Sequence, residues 1–370
     1  MILRDYQSEA VDFLVPRRRA MIIAPAGSGK TIIGAAALAK VLRPGMKLTW
    51  LCNTVEQCAQ AGEALSSVPG PQDVDITVCC VAGNPDTSDS DIVLYDESHH
   101  IPAATWLEVL NEKAIVWGLT ATPWHSDEER NLVVRDVFKE FLTIDRDRIL
   151  ASGHLVEGKV FMHDLDVPGE FNDVLDVKTK IETDLRCRRF WSIPRFEHER
   201  RVKWQITQEV VQTNARRNDK IVELANTSAD STLILVHSIE HGEFLAFAVP
   251  GAIVVHSKLP KKKRAEAIDG LRSGTLRVLI ATSLADEGLN VPRASTLILA
   301  AGGRSAGKLE QRAGRVLRPF DGKNCGIIHD FLDRGAQFAH AQAKARMKVY
   351  ERLGYDPEIV RCIASERAAT

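Results

Sequence analysis

No two of the seven cysteines, at 52, 58, 79, 80, 187, 325 and 362, stand in Cys-x-x-Cys spacing. That removes the usual signature of structural zinc, and an odd count argues against a disulfide framework; the expectation is reduced thiols and a cytosolic setting. No apolar run reaches the roughly 20 residues needed to cross a bilayer. Arg4 and Asp5 near the start argue against a signal peptide. Charge of one sign is missing too: Lys and Arg number 48 against 49 Asp and Glu, for a net charge of −1. A globally basic coat for nucleic acid is thereby excluded, so any such grip must come from local patches or from hydroxyls and amides lining a groove. What is present is a globular composition, 45% hydrophobic and 26% charged over 370 residues, enough for two domains with full cores.

Residues Ala24 to Thr31 read Ala-Pro-Ala-Gly-Ser-Gly-Lys-Thr, after an apolar run at Ala20–Ile23 and before a small-residue, helix-prone run from Ile32 to Leu42. In a strand–glycine loop–helix setting, backbone amides point inward and the new helix N-terminus adds positive potential, which together cradle phosphate. Ala26, Gly27, Ser28, Gly29, Lys30 and Thr31 are therefore the candidate nucleotide-binding set. Lys30 reaches the terminal phosphates and the Thr31 hydroxyl ligates magnesium. The first position is Ala24 where the general phosphate loop has glycine, and Ala-x-x-Gly-x-Gly-Lys-Thr resembles the version in superfamily 2 helicases and translocases.

The other segments follow the order of that superfamily. Leu3-Arg4-Asp5-Tyr6-Gln7 resembles its glutamine motif, which implies that Gln7 pairs with an adenine edge and that Arg4 is a neighbour. Thr54 opens a helix after a strand at Lys47–Asn53; it reads as an N-cap, and the resemblance adds a nucleic-acid phosphate contact. Asp96-Glu97-Ser98-His99 ends a strand that begins at Asp91 and matches the Asp-Glu-x-His class. The resemblance implies that Asp96 holds magnesium, Glu97 deprotonates the attacking water, and His99 links hydrolysis to the second lobe. Leu-Thr-Ala-Thr-Pro at 119–123 implies a coupling role for Thr120 and Thr122.

Arg186 to Trp204 carries seven basic residues against two acidic ones, with Phe190, Trp191, Phe196 and Trp204 between them. This is the composition of a single-strand contact, with Arg188, Arg189 and Trp191 as its candidates; the alternative is a connecting helix pair with solvated arginines. From about residue 214 strands and helices alternate again, which implies a second parallel sheet. Ser238 and Thr282 are the expected nucleic-acid contacts there. Gly288 and Asn290, in a segment resembling motif V, are the expected nucleotide contacts. Gln311-Arg312-Ala313-Gly314-Arg315-Val316-Leu317-Arg318 matches a second superfamily motif. Its Arg315 and Arg318 are expected as arginine fingers, and Gln311 as a residue placing water or phosphate.

The expected fold is α/β, with two RecA-like lobes, each a parallel β-sheet flanked by helices, and an ATP cleft between them. The expected domains are lobe 1 at 1–149, a connecting segment at 150–213, lobe 2 at 214–334 and a helical tail at 335–370. The resemblance is nearest to bacterial and phage DNA repair-type helicases and to type III restriction motor subunits. It implies ATP and magnesium as cofactors, nucleic acid as partner with DNA favoured over RNA, a monomer, and a protein partner for processivity.

Overall fold

The computed structural model describes residues 2–362 except 71–72, 126, 166–169, 190–193, 230, 283–290 and 304–305; the side chains of 56, 170–175, 177, 188–189, 200 and 306–308 also lie outside the description. The chain divides into two compact units, Met1–Leu155 and Val156–Thr370.

The first unit holds a six-stranded sheet of β1 (Arg19–Ile23), β2 (Lys47–Cys52), β3 (Asp75–Cys80), β4 (Ile92–Asp96), β5 (Ile115–Thr120) and β6 (Glu140–Thr143). The spatial order is β3-β2-β4-β5-β1-β6, and every pairing is parallel. Strands buried on both faces need near-continuous apolar runs, and Ile-Val-Leu-Tyr in β4 and Ala-Met-Ile-Ile in β1 supply them. The register sets Ile23 beside Thr120 and Asp96 beside Leu119, so the carboxyl ends of β1, β4 and β5 come level. The helix Lys30–Val41 lies close on this sheet because its inward face is small. A Cβ on Gly34 would meet Leu119, Leu94 and Trp50 at 3.0–3.1 Å. Met21, Leu51, Val93, Tyr95, Val116 and Phe138 fill the core on one face.

The second unit holds a seven-stranded sheet of β7 (Glu157–Asp164), β8 (Thr232–Val236), β9 (Ile253–Val255), β10 (Val278–Thr282), β11 (Thr296–Leu299), β12 (Cys325–Phe331) and β13 (Pro357–Arg361). Its order is β13-β7-β12-β11-β8-β10-β9, again all parallel. Two parallel sheets flanked by helices match the expected fold class.

The boundaries differ from the expected ones. The units meet after Leu155, and β7 and β13 belong to the second sheet although their residues lie in the expected connector and tail. Neither strand shows a continuous apolar run. β7 carries Lys159 and His163, and β13 is an exposed edge strand with proline at its first position, where no ladder amide is lost. Between β7 and β8 two long helices, Glu170–Arg189 and Arg195–Thr213, pack together as a hairpin. The helix Gln337–Arg352 packs on β12 through Arg346, Tyr350 and His340. Arg346 makes 2.7 Å bonds to both Asp330 oxygens, Tyr350 Oη donates to Asp330 at 3.2 Å, and His340 Nδ1 donates to the Leu332 carbonyl at 2.8 Å.

Candidate active site

The phosphate loop joins β1 to the helix Lys30–Val41. Gly27 and Gly29 hold φ of 88° and 82°, a backbone that side chains rarely adopt, and a Cβ on Gly29 would come within 2.6 Å of Gln7 Nε2. The Ser28 side chain is fully buried and its hydroxyl has no hydrogen-bond partner. Lys30 Nζ turns back to donate to the Ala24 carbonyl at 2.9 Å. An orphaned hydroxyl, a helix N-terminus and a lysine that, among the described residues, bonds only loop carbonyls form a cradle that suits phosphate.

Gln7 braces this loop. Its Nε2 donates to the Ser28 carbonyl at 3.0 Å and its Oε1 accepts from the Arg4 amide at 3.1 Å, so both ends of the amide are engaged. Tyr6 Oη donates to the same Ser28 carbonyl at 3.0 Å and receives Arg4 Nη1 at 2.7 Å. An adenine contact by Gln7 therefore requires an exchange of partners. The role of Tyr6 escaped the sequence reading, since an aromatic in an amphipathic helix start reads as core.

Asp96 is the last residue of β4 and 7% exposed; Glu97 follows at 9%. Glu97 sits at φ 53°, ψ 46°, left-handed for a residue with a full side chain, and its amide donates to Asp96 Oδ1 at 3.0 Å. Such a conformation costs of order 1–3 kcal/mol and aims the carboxylate off the strand axis. Burial, then the charge of Glu97, pushes the Asp96 carboxyl up to about 7 against the pull of Lys30. Burial acts on Glu97 in the same sense, but the His99 contact and the Lys30 charge outweigh it and hold Glu97 below the usual carboxylate range. Asp96 is thus an aspartate short of a cation, and a divalent ion bound by Asp96 and Thr31 fits that deficit.

His99 ties the pair to the neighbouring strand. Its Nδ1 lies 3.3 Å from Glu97 Oε2 and 3.0 Å from Thr120 Oγ1, and Thr120 Oγ1 accepts the Thr122 amide at 3.3 Å. His125, in the segment after β5, donates from Nε2 to the His99 carbonyl at 2.7 Å. Asn131 clamps His125 through the amide at 2.7 Å and the carbonyl at 3.1 Å. Nothing in the local sequence around His125 marks this role.

In the second unit, Arg315 lies in the helix Ala306–Val316 and is 8% exposed, while Arg318 follows the helix end. Burial, then the positive charges of Arg315 and Arg272 beside it, pull Arg318 below the usual arginine range. Crowded guanidinium charge of this kind favours an anion. Gln311 is half-buried in the same helix.

The expected nucleic-acid residues are spread over both units. Thr54 caps the helix Val55–Ser67, with its Oγ1 accepting the Gln57 amide at 3.3 Å. Ser238 caps the helix Ile239–Ala248 and donates to Gln212 Oε1 at 2.7 Å. Thr282 is buried at the end of β10. Gly288, Asn290 and Trp191 lie outside the described residues; Arg188 and Arg189 end the helix Glu170–Arg189, and their side chains lie outside the description. Elsewhere in the hairpin three basic groups have partners: Arg195 with Asp184 at 2.6 Å, Lys203 with Asp176 at 3.2 Å, and Arg186 with Gln205 at 2.6 Å.

Residues 1–79 match the family model described as type III restriction enzyme, res subunit, and residues 214–319 match that of the helicase conserved C-terminal domain. The chain is 30% identical over 253 residues to putative helicase 22 of Sulfolobus islandicus filamentous virus, covering 66% of this chain and 43% of the relative. It is 28% identical over 342 residues to the putative DNA 3'-5' helicase Rad25 of Halobacterium salinarum, covering 86% of this chain and 52% of the relative. The chain thus spans about half the length of these curated relatives. Among solved structures, the ATP-dependent type ISP restriction-modification enzyme LlaBIII bound to DNA superposes with a TM-score of 0.67 at 14% identity, covering 99% of this chain and 32% of that one. With the two family models in chain order and a phosphate loop facing an Asp-Glu-x-His strand end, the chain belongs to the superfamily 2 helicases and translocases.

Proposed function

We propose that the protein is an ATP-dependent DNA motor, a helicase that couples ATP hydrolysis to movement along a strand and to strand separation. The observation that carries this reading is the buried Asp96–Glu97 pair at the β4 end, under the field of Lys30 in the phosphate loop. Residues 26–31 hold the triphosphate, with Lys30 leaving its loop carbonyls for the terminal phosphates. Gly288 and Asn290 contribute nucleotide contacts from the second lobe. Magnesium, when held by Thr31 and Asp96, screens the charge between the phosphates. Glu97, kept ionised by His99 and Lys30, orients the attacking water and takes its proton. Arg315 and Arg318 stabilise charge on the transferring phosphoryl group, a contribution of about 10³–10⁵-fold in related chemistry, and Gln311 places the water or phosphate.

His99 reports the state of Glu97 to Thr120 and Thr122, which couples hydrolysis to the polymer. Thr54 on one lobe and Ser238 and Thr282 on the other grip the phosphate backbone. Arg188, Arg189 and Trp191 contact the single strand near the hairpin end. A second reading, a duplex translocase that does not separate strands, is favoured by the ion pairs that engage Arg195 and Lys203 within the hairpin.

Steady-state ATP hydrolysis with no polymer and with single-stranded, duplex or forked DNA or RNA tests this. Stimulation by single-stranded or forked DNA is the expected result. Stimulation by duplex alone moves the assignment to the translocase, preference for RNA overturns the substrate, and no turnover on any polymer overturns the motor.

A further inference from the structure

Four of the seven cysteines fall between residues 52 and 80, and the fold gathers three of them at one place. Cys52 ends β2, Cys80 ends β3, and the two are in register as paired neighbours. Cys58 lies in the helix Val55–Ser67, one turn past its N-cap Thr54. Its Sγ is 3.6 Å from Cys80 Sγ. Cys79 points to the opposite face, as strand alternation requires, and packs against the hydrophobic core. Cys52 is fully buried, whereas Cys58 and Cys80 are partly exposed.

We propose that Cys58 and Cys80 form an oxidisable dithiol whose disulfide latches the start of the helix Val55–Ser67 to the end of β3. The sulfurs need approach by only about 1.5 Å to reach bonding distance. With hydrogen peroxide as oxidant, the thiolate of one cysteine attacks the peroxide to give a sulfenic acid and one water. The second thiol then displaces the sulfenic oxygen as a second water, and the S–S bond forms. Two thiols lose two electrons and two protons, and the O–O bond takes them up. Burial, then the Cys80 contact, pushes the Cys58 thiol up to about 11, so little thiolate is present near neutrality. The latch therefore closes slowly, and faster as pH rises. Cys52, in register with Cys80, is kept protonated by burial and the nearby Asp96 charge.

The consequence for activity rests on the proposed function. Thr54 is the proposed backbone grip on this lobe, and Gln57 Oε1 accepts the amides of both Asn53 and Thr54 at 3.0 and 3.1 Å. Pinning Cys58 fixes that helix start against an edge strand, and a grip that must tighten and release is held in one position.

The test treats the full chain with hydrogen peroxide, blocks free thiols, and maps disulfides after cleavage at glutamate, which releases Gln57–Glu63 carrying Cys58 alone. The expected result is that peptide joined to the one carrying Cys79 and Cys80. The link should persist in Cys79→Ser, vanish in Cys80→Ser, and reverse with dithiothreitol. Recovery of Cys58 as a free thiol or as an over-oxidised acid, or a link that survives in Cys80→Ser, overturns the latch. In the same samples DNA-stimulated ATP turnover should fall to the polymer-free rate on oxidation and hold in Cys80→Ser. Unchanged stimulation in fully cross-linked protein overturns the effect on grip. Absence of turnover in reduced protein counts against the proposed function and leaves the mapped link standing.

Discussion

Asp96 and Asp330 are both aspartates buried near the carboxyl end of a parallel strand, one in each unit, and their surroundings could hardly differ more. Asp330 is fully buried and saturated: both oxygens accept from Arg346 and one also from Tyr350. Beside it Arg217 reaches Asp333 at 2.9 Å and lies over the Phe331 ring at 4.4 Å. Among the described residues Asp96 has only the amide of Glu97, a like charge as a neighbouring carboxylate, and a lysine acting through space. Buried charge with its partners inside the protein is architecture. Buried charge at a strand end with its partner missing marks a place where a ligand belongs. The contrast separates structural from chemical acids in a chain whose overall charge says nothing.

Breaking the chemical side should have the largest effect. Lys30→Ala removes the cation that acts on both carboxylates and the reach to phosphate; ATP turnover should fall by about 10²–10³-fold with the fold intact. Turnover assays beside a thermal melt check this. Breaking the structural side should do the reverse. Arg346→Met leaves Asp330 buried and unpaired and should cost about 3–5 kcal/mol of stability in the second unit, read by denaturant titration, because the penalty is that of an uncompensated charge.

The two aspartates also show what a sequence makes legible. Asp96 was found because it stands in a motif with fixed spacing, and the same holds for the phosphate loop and for Arg315 and Arg318. Such motifs are local: strand, turn and helix start carry the chemistry in a few consecutive residues. Asp330 and Arg346 form their pair across 16 residues and two elements, and neither position announces the other. The same limit hid β7 and β13. Their place in the second sheet depends on pairing with strands far along the chain, while their own residues alternate or carry charge. His125 escaped for a related reason, since its partner is the main-chain carbonyl of His99, and backbone acceptors leave no trace in sequence.

Smaller effects sharpen the comparison. The second unit buries His163 and His241 and half-buries His329, and burial pulls these imidazoles down to about 4, about 3 and about 3. Their folded values lie below the unfolded value near 6.5, so between these limits the unfolded chain binds more protons. The stability they contribute is complete above pH 6.5 and is lost as pH falls. At pH 5 the loss should be about 1–2 kcal/mol per histidine. Hydrogen-exchange protection at β7 and β12, taken relative to the intrinsic exchange rate at each pH, should fall between pH 7 and 5, and unchanged protection would contradict buried neutral rings. Smallest of all, Thr54→Ala should cost about 1 kcal/mol through the lost N-cap. If Thr54 also grips phosphate, DNA stimulation of turnover should drop by more than the melting shift explains.

The most direct measurement compares ATP binding and ATP turnover in Glu97→Gln and the unaltered protein, under saturating single-stranded DNA. Glutamine keeps the shape and removes the base. The account predicts that nucleotide binds at least as tightly as before while turnover falls by about 10²-fold or more. Turnover within a few fold of the unaltered protein would mean that the carboxylate at the β4 end is not the catalytic base, and the comparison between Asp96 and Asp330 would lose its meaning.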